Sequence, residues 1–226
     1  KPHRKLSVTA TSVVEVDGRE TGPPEECRRP WEEVRDGLRA GPGGRVEASQ
    51  FSLDSPLVAA SWRFADYARE SFRPGRDLVD GVGDLAHRIH ADFAYTPGAT
   101  SVSTPVDEVF DQREGVCQDF AHLGIACLRS IGLPARYVSG YLETDPPAGR
   151  PKLRGADASH AWLAVLVPGL GWLDVDPTND QFVSNRYVVA AFGRDYSDVP
   201  PVSGVIYTEG RTKKLKVVVD VVALAA

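Results

Sequence analysis

REGVCQDFAHLGIACLRSIGLPARYVSGYL, residues 113–142, decides how this chain is read. From Cys117 onward, Phe120, Leu123, Gly124, Cys127, Leu128 and Ile131 recur at intervals of three and four, which marks one apolar face of a helix. Gly132 stops that helix, and Pro134 prevents its return. Ala135 to Leu142 then reads as a strand. A helix that begins at a cysteine therefore runs directly into a sheet.

The next informative stretch is SHAWLAVLVPGLGWLDVDPTN, residues 159–179. His160–Val167 and Trp172–Asp176 read as two strands around the turn Pro168–Gly171, a hairpin. Direct pairing of His160 with Asp176 centres the hairpin on residue 168, whereas a four-residue loop moves Asp176 along by about one pair. In the first register both side chains point to the same face, and in either the two residues lie near the open end on neighbouring strands. Asp174 is the rival partner for the imidazole. Pairing it with His160 would centre on residue 167 and leave almost no room for the turn, so Asp176 is the better choice.

Upstream, Lys5–Val16 alternates apolar and polar residues like a half-buried strand, and residues 17–44 read as an irregular connection with a short helix near Trp31–Leu38. Ser55-Pro56 resembles a helix start, predicting a helix to about Ser71 with Leu57, Ala60, Phe64 and Ala68 on one stripe. A second helix is predicted over Asp77–Asp92, a loop over Tyr95–Thr104, and a short helix after Thr104-Pro105. Lys213–Val222 alternates as a last strand. Helices followed by several strands predict an α+β fold with an antiparallel sheet. The expected division falls at residue 50, with the predicted helices and the C-terminal strands over 51–226.

Net charge is −5 with no long basic run, which argues against nucleic acid or an anionic membrane as partner. No apolar stretch approaches the roughly 20 residues of a membrane helix. Three cysteines, Cys27, Cys117 and Cys127, do not read as a disulfide framework, so a reducing, cytoplasmic setting is expected. The chain starts at Lys1 and holds no methionine, so a native start further upstream is expected.

Cys117 lies where a loop meets a helix start, and the helix dipole and unpaired N–H groups there favour the thiolate. Cys127 falls within the apolar stripe and reads as core, and Cys27 receives no role. A thiolate attacks a carbonyl, an imidazole moves the proton, and a carboxylate fixes the tautomer, which are roles for Cys117, His160 and Asp176. The backbone N–H of Cys117 is a natural oxyanion donor. His87 and His90 are three apart on one helix, but no ligand spacing accompanies them, so no metal is expected.

The two stretches quoted above, with FAYTPGATSVSTPVDEVF at residues 93–110, resemble the core of bacterial transglutaminase-like proteins, part of the papain-like superfamily of cysteine enzymes. The strong resemblance runs from about Phe93 to Asn179; the N-terminal strand resembles more weakly the β-rich region that often precedes this core, which implies a truncated N-terminal β-rich region over residues 1–50 and a catalytic core over 51–226. It implies a papain/transglutaminase-like core, a nucleophile helix packed on an antiparallel sheet. It also implies that Cys117 of GVCQDFAH is the nucleophile, His160 of HAW the base and Asp176 of DPTN the orienter.

Gln118, Asp119, Tyr141 and Trp162 are secondary candidates for substrate binding, each with a plainer reading as a cap or packing residue. Animal transglutaminases need calcium, but no Asp/Asn-rich loop of the EF-hand kind is present, and no cofactor is expected. The implied activity is acyl transfer or hydrolysis at an amide of a peptide or protein. A catalytically inactive binding module is the alternative, and an arylamine acetyltransferase is a third reading disfavoured by Arg113-Glu114-Gly115-Val116 before the cysteine. The loop 144–159 ends at His160 and carries Arg150, Lys152 and Arg154, which could favour an acidic acyl donor or could simply be solvated.

Overall fold

The computed structural model describes residues 7–16, 25–40, 45–144, 158–200 and 217–224. Helices come first: α1 (Trp31–Ala40), α2 (Arg45–Gln50), α3 (Trp62–Ser71) and α4 (Leu78–Asp92). Short strands β1 (Ala94–Tyr95) and β2 (Glu114–Gly115) flank α5 (Val106–Gln112) and lead into α6 (Cys117–Ser130). Strands β3 (Ala135–Leu142), β4 (Ala158–Val167), β5 (Gly171–Asp176), β6 (Gln181–Phe182) and β7 (Tyr187–Gly193) complete the fold.

The last five strands form one antiparallel sheet in the order β6-β5-β4-β3-β7. Helix α6 is buried at every residue from Gln118 to Arg129, as a helix must be when elements enclose it on all sides. It lies on β3 and β4 and is wrapped by α3, α4 and α5. One sheet face supplies Tyr137, Leu163, Val165 and Val175 to this main core, and the other gathers Val138, Trp162, Ala164 and Tyr187 into a smaller cluster. Gly124 permits the close approach of α6 to the sheet, since a Cβ there would run into Leu163.

Several sequence expectations need revision. The helix expected from Ser55 begins only at Trp62, because residues 55–58 form a tight turn with Ser55 bridged to Val58. A buried carboxylate drives this, as Asp195 Oδ2 accepts the Leu57 N–H at 2.8 Å and so withdraws it from any helix. Residues 7–16 and 217–224 carry no regular strand, although Lys5–Val16 and Lys213–Val222 alternate in sequence; the remaining positions of those two stretches lie outside the described residues. Within 25–50 the chain builds α1, the helix expected near Trp31–Leu38, followed by α2, where a β-rich region is expected. No helix among the described residues is long and apolar enough to cross a membrane.

Candidate active site

Three local devices fix Cys117. Arg113 ends α5 in the left-handed region (φ 58) and lays its guanidinium over Phe93 and Phe110, 4.6 and 4.4 Å from the ring centroids. β2 then pairs in parallel with β1, Tyr95 opposite Gly115. Finally Asp119, in the first turn of α6, turns back and accepts the Val116 N–H at 2.8 Å. This caps the helix whose first residue is Cys117. Gly115 is required here, because a Cβ would stand 2.8 Å from the Asp119 side chain.

Asp119 Oδ2 also accepts the Thr100 hydroxyl at 2.5 Å, and Gln118 donates to the Val102 carbonyl at 3.1 Å. The two residues after Cys117 thereby hold the 96–104 loop beside it. Burial pushes the Asp119 carboxyl up, against the pull of its two hydrogen bonds. Asp119 is 2% exposed, so its role is to cap and tether, and the substrate-contact reading is corrected accordingly.

The hairpin register is Leu163↔Val175, Ala164↔Asp174 and Val167↔Gly171, closed by left-handed glycines at 169 and 171. This is the shifted register of the two considered. Asp176 falls opposite Trp162 and meets His160 on the diagonal, within reach of a long side chain. The His160 Nε2 to Asp176 Oδ2 distance is 2.7 Å. Asp174 is occupied elsewhere, accepting the Trp162 indole N–H at 2.8 Å. Trp162 is fully buried between His160 and Tyr187, so it packs the site and has no surface to offer a substrate. Tyr141 stands on β3 opposite Ser159, partly exposed.

Asp176 is wholly buried and receives five donors. Oδ2 accepts from His160, from Asn179 Nδ2 at 2.7 Å and from the Tyr187 hydroxyl at 2.7 Å. Oδ1 accepts the backbone N–H groups of Thr178 at 2.8 Å and Asn179 at 3.3 Å. Burial would raise its pKa, but these bonds outweigh burial and hold the carboxyl below its ordinary value. Burial likewise opposes the charged imidazole of His160. Its hydrogen bonds to Asp176 and to Cys117 prevail and lift its pKa to about 9. The imidazole is thus hydrogen-bonded to both the carboxylate and the thiol.

Cys117 is partly exposed, while Cys27 and Cys127 are buried. Burial pushes the Cys127 thiol well up, as expected of a core residue. Tyr187 and Asn179 were not anticipated from the sequence. Asn179 closes the DPTN motif and could have been proposed from it, whereas Tyr187 lies on a strand that no sequence signal had placed beside β3. Arg150, Lys152 and Arg154 lie outside the described residues. Among the described residues no group of His, Cys, Asp and Glu side chains has the composition of a metal site.

An uncharacterized protein of Mycobacterium tuberculosis (strain ATCC 25618 / H37Rv) is 48% identical over 230 residues, spanning 98% of this chain and 71% of its own length. A protein-glutamine gamma-glutamyltransferase of Pseudomonas aeruginosa is 42% identical over 117 residues, 50% of this chain and 17% of that protein. A solved structure from Cytophaga hutchinsonii, named as a candidate cysteine protease, superposes with a TM-score of 0.58 at 28% identity. That match covers 74% of this chain and 54% of the solved one, so the chain spans little more than half of that protein. The helix–sheet core built around Cys117, His160 and Asp176 coincides with the region, residues 65–177, that matches the Transglutaminase-like superfamily. This chain belongs to that superfamily.

Proposed function

We propose that this protein cleaves or transfers an amide acyl group of a peptide or protein through a thioester on Cys117. The observation that carries the reading is His160 held between the five-donor carboxylate of Asp176 and the sulfur of Cys117. In the proposed cycle the sulfur bonds to the carbonyl carbon and its proton passes to His160. The oxyanion faces the backbone N–H of Cys117, which as the first residue of α6 has no partner within the helix. His160 then protonates the departing amine as the C–N bond breaks. Water or a primary amine attacks the thioester, gives its proton to His160, and restores the thiol. The product is an acid in the first case and a new amide in the second.

Hydrolase and acyltransferase share every step but the last acceptor. A peptide and amide substrate screen with and without an added primary amine separates them, with Cys117→Ala as the blank. Intact-mass detection of an acyl adduct on the wild type, absent from Cys117→Ala, is the expected result. Turnover by Cys117→Ala at the wild-type rate would refute the proposal.

A further inference from the structure

His87 and His90 stand one turn apart on α4, facing the turn that follows Asp176. His87 Nδ1 lies 2.7 Å from Asp180 Oδ2, and His90 Nδ1 lies 3.0 Å from the Thr178 carbonyl oxygen. A carbonyl and a carboxylate only accept, so both Nδ1 atoms are the donors. The two contacts bracket Asn179. That residue donates its Nδ2 to Asp176 at 2.7 Å and approaches His160 Nε2 to 3.4 Å. The backbone N–H groups of Thr178 and Asn179 also point at Asp176. Three of the five donors on the carboxylate therefore come from this one turn.

The turn is not self-supporting. Asp180 has φ 52, a left-handed conformation that a side-chain-bearing residue holds only where its surroundings impose it. The α4 histidines hydrogen-bond to both ends of this stretch. The ion pair of His87 is largely exposed, so it adds little to global stability. Its consequence should be local.

We infer that His87 and His90 are positioning residues, which clamp the Thr178–Asp180 turn to α4 so that Asn179 and its neighbours keep Asp176 and His160 aligned with Cys117. This rests on the reading of Cys117 as the nucleophile. The hydrogen bond that His87 donates to Asp180 raises its pKa, and Asp84 on the same helix acts in the same sense. Arg28, Arg76 and Asp80 line the recess beside it.

The test follows Cys117 alkylation by iodoacetamide in the whole chain, read by peptide mass spectrometry against Cys27 and Cys127, from about pH 5 to 10. Wild type should label Cys117 well ahead of the two buried cysteines. His160→Ala gives the rate of the unassisted thiol. His87→Ala/His90→Ala should lose roughly tenfold at near-neutral pH, the size expected of a small misplacement of reacting groups, and its pH profile should move toward that of His160→Ala. His87→Asn/His90→Asn, whose amides can donate from nearly the same place as Nδ1, should recover most of the loss. A purely structural role would not produce that recovery.

Asp180→Gly is the second variant, since it relieves the left-handed backbone while removing the carboxylate that His87 holds. Slower labelling in this variant supports the clamp. Wild-type labelling in both the Ala pair and Asp180→Gly overturns the clamp. Equal labelling of all three cysteines in the wild type overturns the Cys117 reading itself, which keeps the two failures apart.

Discussion

The hydroxyl of Tyr187 on β7 donates to Asp176 on β5, although β3 and β4 lie between those strands in the sheet. The ring crosses the second sheet face, edge-on to Trp162 with centroids 5.3 Å apart. Gln181 Nε2 donates to the same hydroxyl at 2.7 Å, fixing the direction in which the phenol must donate. Tyr187 thus joins the edge strand of the sheet to the carboxylate that orients His160.

Tyr187→Phe keeps the ring and removes one of five donors. With one competing donor fewer on Oδ2, Asp176 should hold the imidazolium more strongly, so the alkaline limit of activity should move up from about pH 9. We expect kcat/KM to fall by about tenfold and stability by about 2 kcal/mol, since one hydrogen bond to a charged group is lost and Gln181 is left without its acceptor. A pH–rate profile identical to wild type would show that the hydroxyl does not tune the pair.

Asp174 and Asp176 differ by one step along β5 and have opposite roles. Asp174→Asn keeps an acceptor for the Trp162 N–H, and we expect it to stay within tenfold of wild-type turnover. Asp176→Asn should cost orders of magnitude, because the imidazole loses both its tautomer lock and its counter-charge. Steady-state rates of the two variants decide the matter, and the reverse order would make Asp174 the third member of the triad.

Helix α6, strand β3 and the β4–β5 hairpin were legible in the sequence because each combines a clean hydrophobic period with a Gly or Pro stop. The same-face placement of His160 and Asp176 followed from parity alone, and parity survives a two-residue register shift. What escaped was set by contacts distant in sequence. Residues 55–61 carry a helix start signal at Ser55-Pro56, yet Asp195, over a hundred positions away, claims the Leu57 N–H. Strand β7, YVVAAFG, has no strict alternation, and so neither it nor Tyr187 was placed. The spacing of His87 and His90 speaks only to metal ligation, whereas their partners are a carboxylate and a carbonyl on a turn distant in sequence.

The buried His122 and the half-buried His160 give stability opposite dependences on pH. His122 is 1% exposed, accepts the Tyr196 N–H, and is pushed by burial from 6.5 down to about 4. The unfolded chain binds that proton first, so stability should fall as pH drops from 6.5 toward 4, by about 3 kcal/mol at most. His160 is raised to about 9, so its contribution is complete below 6.5 and is lost as pH rises through 9. Asp176 and Asp195, both held below 3.8, lose their contributions only at lower pH. Urea midpoints across pH should therefore peak near 6.5, with His160→Gln flattening the alkaline side only. A midpoint still rising from pH 6.5 to 9 would contradict the charged pair.

Helix α6 is anchored at its far end, away from Cys117, by a buried cation. Arg129 is 4% exposed, and its guanidinium donates to the Phe51, Ala135 and Arg194 carbonyls and to Ser55 Oγ. Burial lowers its pKa to about 10, and nearby Asp195 opposes that shift. Asp195, fully buried, accepts from Leu57 and Ser197 and so fastens the same segments. Arg129→Met fills much of the volume but leaves Asp195 without its nearby cation and several buried carbonyls without donors. We expect a loss of about 3–5 kcal/mol, the usual cost of removing one partner from a buried charged network. Arg129→Lys should recover only part of it, because an ammonium cannot reach four acceptors in a planar fork. Alkylation of Cys117 per folded molecule should be unchanged, since none of these contacts touches His160 or Asp176. Denaturant midpoints and Cys117 labelling measured on the same samples check both halves, and a stable variant with slow labelling would mean that this network governs the site and not the fold.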